Sequence, residues 1–137
     1  MKMVMNSAIK WNMDPEKAVD KYLNFTVKVL EECDINFKNF KYDALDITKK
    51  RLNGHNVDAS RGEALDWYWD YIDERKAPMD FQDKEILKIR LGICLLIIDV
   101  NQFNDLNEHF SWFLKLMQNY GANENKLHSL ANLFFNN

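Results

Sequence analysis

The chain has 137 residues, of which 47% are hydrophobic and 13% aromatic, with 18 Lys and Arg against 21 Asp and Glu for a net charge of −3. That length fits one domain with enough apolar material for its own core, so neither disulfides nor a metal are needed to explain folding. The slightly acidic balance weighs against nucleic-acid binding, which draws on a basic surplus to neutralise phosphates.

The opening stretch, Met1-Lys2-Met3-Val4-Met5-Asn6, lacks the apolar core of a signal peptide, and residues 1–13 read as an irregular lead-in. Asp14 followed by Pro15 is an N-cap with proline at the first helical position. Val19, Tyr22, Leu23, Val27 and Leu30 then recur at three and four residues, the stripe of an amphipathic helix that ends near Cys33. A second helix is expected over Asn36 to Leu52, with Phe37, Phe40, Ala44, Leu45 and Thr48 inward and Asn53-Gly54 as its stop. Asp58-Ala59-Ser60 offers caps for a third, which runs to about Arg75 and closes at Lys76 and Pro78.

Asp80-Phe81-Gln82-Asp83 starts a fourth helix expected to reach Asp99. Its inward stripe is Ile86, Ile89, Ile93, Leu96 and Ile97, with Leu95 and Ile98 beside it; a helix apolar nearly all round should be central. Asp105 with Glu108 three residues on suggests a capping pair for the fifth helix, ended by Tyr120-Gly121. Asn123 caps the last, where Leu127, Leu130, Ala131 and Phe134 recur. The expected fold is all-α, a single compact domain over 1–137 built of about six helices. Its longest apolar run, Leu91 to Ile98, falls far short of the ~20 residues of a membrane span, so a cytoplasmic protein is expected.

The third helix carries the least ordinary segment. Trp67, Tyr68, Trp69 and Tyr71 place four aromatic rings within five positions, too many for one face at ~100° per residue. Leu65, Tyr68, Trp69 and Ile72 form the expected inward stripe. Asp66, Asp70 and Asp73 share another face at i, i+4 and i+7, followed by Glu74, and Trp67 and Tyr71 lie beside these acids. Two readings are open. Other helices could cover Trp67 and Tyr71, leaving the acids as a solvated face. Alternatively Asp66, Trp67, Asp70, Tyr71, Asp73 and Glu74 form a recognition surface, with aromatic anchors and carboxylates that steer a basic partner. Charge distribution fits the second: residues 58–137 carry 8 basic and 13 acidic side chains, a net of −5, against +2 for residues 1–57.

Catalytic patterns are missing. His55, His109 and His128 are scattered, and no P-loop, dinucleotide fingerprint or nucleophile elbow is present. Arg51 to His55 is too short, and too interrupted by Gly54, for the paired Arg and His of helical ribonucleases. Asp99-Val100-Asn101 begins like a calcium loop, then places Phe103 where a ligand should stand and ends at Phe110 instead of glutamate. One row of aspartates on a single helix leaves half of any metal's coordination sphere open. Cys33 and Cys94 lie in apolar helical patterns without a zinc or redox spacing and read as buried thiols. No cofactor, no metal and no enzymatic activity are expected. Arg90, on the apolar fourth helix, should be buried and paired, with the third-helix acids as candidate partners.

The run Trp67-x-Trp69-x-Tyr71-Ile72-Asp73, then Asp80-Phe81 and Arg90 to Cys94, resembles the helical immunity proteins of bacterial polymorphic-toxin and contact-dependent growth-inhibition systems. The similarity is one of style and extends from about Lys17 to Phe135. It implies a stoichiometric inhibitor, made in the toxin-producing cell, that binds the C-terminal domain of its cognate toxin and blocks its active or substrate-binding site. Many such toxins are nucleases with basic clefts. The competing expectation is a small helical regulator or adaptor for another protein or nucleic acid, with Lys49, Lys50 and Arg51 as its basic cluster. That cluster also suits a helix C-terminus.

Overall fold

The computed structural model describes residues 13–75 and 83–135. The expected helix stop at Lys76 and Pro78, the start at Asp80 to Gln82 and nearly all of the lead-in lie outside that range. Among the described residues there are six α-helices, one 3-10 helix and no strand: α1 (Pro15–Glu32), α2 (Ala44–Leu52), α3 (Asp58–Glu74), α4 (Lys84–Leu96), the 3-10 helix (Val100–Asp105), α5 (Leu106–Tyr120) and α6 (Glu124–Phe135). The expected all-α architecture is thus present. No helix among these residues is long and apolar enough to cross a membrane.

α4 is the centre. Ten of its residues are buried, from Ile86 to Leu96, and it packs against α1, α2, α3 and α5. Asp83 caps it by accepting from the Ile86 N–H at 3.0 Å. The helix ends at Leu96, three residues before the expected Asp99, and carbonyls at and just past its end find donors elsewhere in the chain. Arg61 donates to Leu96 O at 2.6 Å and Arg51 to Ile98 O at 2.6 Å. Two guanidinium groups at the negative end of a buried helix satisfy carbonyls that have no intrahelical partner.

α2 begins at Ala44, eight residues later than the periodicity suggests. Asn36 accepts from the Lys38 N–H at 3.2 Å, a local turn that competes with helix, and Asp43 is the real cap, accepting from the Asp46 N–H at 3.0 Å. Phe37 and Phe40 do point inward, but from this irregular stretch. Phe37 is fully buried, and Phe40 packs against the core.

The remaining ends follow local chemistry. α1 stops as Asp34 takes a left-handed φ of 56° and Ile35 N–H reaches back to Leu30 O at 2.9 Å. Gly121 ends α5 at φ 106°, and Asn123 caps α6 through the Lys126 N–H at 3.0 Å. Asp105 holds the N-cap position of α5 without a side-chain cap bond, so the expected capping pair does not form. One aromatic cluster closes the core where α1 meets α5 and α6: the Phe25 ring lies 5.3 Å from Phe110 and 5.6 Å from Phe134.

Candidate protein-interaction surface

α3 is one unbroken helix from Asp58 to Glu74, so its sequence spacing translates directly into faces. Ala64, Tyr68, Tyr71 and Ile72 are buried and Leu65 is half-buried. The expected inward stripe therefore needs a correction: Trp69 is 41% exposed, and Tyr71 takes the buried place instead. Two contacts set this rotation. Gly92 on α4 leaves room for the Tyr68 ring, whose hydroxyl donates to Tyr42 O at 2.7 Å. On the other side, the irregular 36–43 stretch offers Phe40, which receives both Trp67 (ring centroids 5.8 Å apart) and Tyr71 (5.9 Å).

Trp67 and Tyr71 thus stand in a second aromatic cluster, 5.4 Å from each other, with Trp67 half-buried and Tyr71 8% exposed. The Arg75 guanidinium stacks on the Tyr71 ring at 3.4 Å. Burial raises the Tyr71 pKa, and a hydrogen bond to the Glu85 carboxylate raises it further. Asp66, Asp70, Asp73 and Glu74 are all exposed. The four acids expected at a partner surface are accessible, whereas the two aromatics expected with them are held in packing.

Accessible aromatic area lies on the other flank of the acidic row. Trp69 follows Asp66 by three residues and precedes Asp73 by four, which makes both acids its neighbours on the helix surface. Opposite it stands Trp112 of α5, 43% exposed. The two line a cleft of about 160 Å³ together with Arg90, Ile93 and Cys94 of α4, Ile97 just past that helix and His109 of α5. Arg90 is buried, as the sequence suggests, at 8% exposure. The Cys94 thiol is pushed up to about 12 by burial, with Arg90 pulling the other way. A thiol so strongly held in its neutral form is a poor nucleophile, and it serves the cleft as an apolar wall.

Trp112 was legible in part. In α5 the buried set is Leu106, Phe110, Phe113, Leu114, Leu116 and Met117. Trp112 falls outside that stripe, on the face where a polar residue would be ordinary.

The other sequence candidates resolve differently. Lys49 pairs with Glu31 at 2.7 Å, Lys50 with Asp46 at 3.1 Å, and Arg51 holds the end of α4. All three members of the basic cluster have intramolecular work. His55 is exposed in the turn after α2, and His128 has its Nδ1 buried without a hydrogen-bond partner among the described residues. Among those residues no group of three or more His, Cys, Asp or Glu could hold a metal ion. A second, open depression of about 400 Å³ between α1 and α2 is lined by Glu31, Asp34, Asp43 and Asp46 together with Lys38 and Lys49. Its carboxylates are largely occupied, by the Lys49 and Lys50 pairs and the cap of α2. No known protein family, curated protein or solved structure matches the chain.

Proposed function

We propose that this protein acts by binding another protein, and that it is an inhibitor of the immunity type, seated on the C-terminal domain of a basic toxin, a nuclease by preference. One observation carries the reading: an exposed acidic row on α3 runs beside two tryptophans that are 41% and 43% exposed. Large aromatic side chains left part-exposed beside a row of carboxylates on α3 are the composition of a hot spot with a steering rim. Carboxylates so placed attract a basic cleft and occupy it in competition with nucleic acid. The resemblance of the third-helix sequence to helical immunity proteins supports the same class, with a cytoplasmic site of action and no catalysis by this chain. Asp66, Asp70, Asp73 and Glu74 supply the charge, and Trp67 and Tyr71 hold α3 in register from behind.

The adaptor reading with direct nucleic-acid binding has less support, because Lys49, Lys50 and Arg51 are already engaged within the fold.

Co-expression tests the proposal. The C-terminal domain of the polypeptide encoded immediately upstream is produced with and without this protein while growth is followed. Arrest by that domain alone, relieved by this protein at a 1:1 ratio, is the expected result. A harmless neighbour, or arrest that this protein leaves untouched, counts against the immunity role.

A further inference from the structure

We infer that the cleft between Trp69 and Trp112 is a socket for one apolar side chain, of leucine or phenylalanine size, presented by a basic segment of a partner protein. The inference rests on the protein-binding reading above and adds what the surface recognises.

Size decides the class of occupant. Sites for cofactors and metabolites span ~300–1,000 Å³, whereas a cavity of ~150 Å³ accommodates a benzene-sized group. At about 160 Å³ the cleft matches a single side chain. Its walls are two indoles and its base is Ile93, Cys94 and Ile97, so the inserted group gains most if it is apolar. The apolar lining disfavours an inserted lysine or arginine head, which would have to be desolvated there.

The rim decides the charge of the segment that carries the anchor. Asp66 and Asp73 lie one turn to either side of Trp69, Asp70 lies next to it, and all three are exposed. A segment that sets its anchor between the indoles brings its neighbouring residues over these carboxylates. Lysine or arginine there gains, and glutamate or aspartate is repelled. An apolar anchor flanked by basic residues is the motif that satisfies both base and rim.

Three blocked pentapeptides serve as probes: Lys-Lys-Leu-Lys-Lys, the same peptide with alanine at the centre, and Glu-Glu-Leu-Glu-Glu. Indole N–H signals of Trp69 and Trp112, assigned from single Trp→Phe variants, are followed by NMR as each peptide is added to millimolar concentration. The leucine peptide should give saturable shifts at both indoles, with the alanine and acidic peptides at least about tenfold weaker, the order expected for losing an anchor or reversing the rim charge. Trp112→Ala, at an exposed helical position, should fold normally and abolish the response at Trp69. Equal binding of the leucine and alanine peptides, no indole response to any peptide, or a response that survives Trp112→Ala would each overturn the socket. These outcomes are separable from the proposed function. A neighbouring domain that goes unneutralised sinks the immunity role and leaves the peptide result standing. Neutralisation without any indole response sinks the socket alone.

Discussion

Replacing Gly92 with alanine should destabilise the protein, although the same change in the middle of a free helix is favourable by about 1 kcal/mol. A methyl group at this position of α4 would overlap Tyr68 Cε2 and sit 2.8 Å from Cδ2 and 3.1 Å from Cζ, where carbon atoms prefer ~3.5–4.0 Å. The ring has nowhere to go. Tyr68 is fully buried, its hydroxyl is fixed to Tyr42 O at 2.7 Å, and Phe37, Phe40 and Trp67 pack around it with centroids 6.3, 6.0 and 5.2 Å away. The strain must then go into the α3–α4 packing. Overpacking of this kind costs about 1–3 kcal/mol, and a pinned ring belongs at the upper end. Against the gain in helix propensity, the net loss is about 2 kcal/mol, or about 6–10 °C in Tm for a domain of this size. Gly62 is the internal control: it lies in α3 with nothing within 4 Å of an added Cβ, so Gly62→Ala should stabilise by about 1 kcal/mol. Urea and thermal unfolding followed by circular dichroism read both signs. A Gly92→Ala variant as stable as the parent would refute the close approach of α3 to α4.

Other perturbations probe the core and the surface separately. Tyr22 is fully buried and its hydroxyl has no hydrogen-bond partner among the described residues, so Tyr22→Phe should hold or raise stability by about 1 kcal/mol; a loss of that size in urea unfolding would reveal a bond to that oxygen. Stability should fall on the alkaline side: the Cys94 thiol is held at about 12 in the fold against an ordinary 9.0, so its contribution is complete below pH 9 and is lost as the pH rises toward 12. Burial raises Tyr22 as well, which adds to the fall from about pH 10. Thermal unfolding from pH 8 to 10 should slope less steeply in Cys94→Ala, and an unchanged slope would contradict the assignment. Trp67→Ala should lower stability by about 2–3 kcal/mol, because its ring is packed among Phe40, Tyr42, Tyr68 and Tyr71, whereas Trp69→Ala should change it by less than about 1. Equal losses for the two would mean that Trp69 is part of the core.

Much of this was readable from residues because it is local. The helix start at Pro15, the Gly121 stop, the Asn123 cap and the apolar run of α4 all depend on chemistry within a few positions, although Asp14 holds its N-cap position without a side-chain cap bond. What stayed hidden depends on contacts far apart in sequence. Asn36 to Asp43 has helical spacing but is held as turns by the Asn36 side chain and by rings that dock on α3, a tertiary override of periodicity. The end of α4 is set by Arg51 and Arg61, 47 and 35 residues from the carbonyls they satisfy. The rotation of α3 has the same origin. With Trp67, Tyr68, Trp69 and Tyr71 adjacent, periodicity alone does not choose which rings go inside, and Gly92 and Phe40 make the choice. The acidic row needed no such help, since i, i+4 and i+7 on any straight helix share a face. The cleft joins one side chain of α3 to α4 and α5, and only Trp112, standing off its helix's apolar stripe, hinted at it.

Binding of a basic protein partner through the acidic row of α3 and the neighbouring tryptophans, as proposed above, has a kinetic signature. Association kinetics with the upstream-encoded C-terminal domain test it most directly, with the parent, an Asp66→Lys/Asp70→Lys variant and Trp69→Ala compared at low and high salt. A tight 1:1 complex is expected, with slower association and loss of salt sensitivity on charge reversal, and dissociation at least about thirty-fold faster without Trp69. A tight complex whose rates all three proteins share would place the interface elsewhere on the molecule.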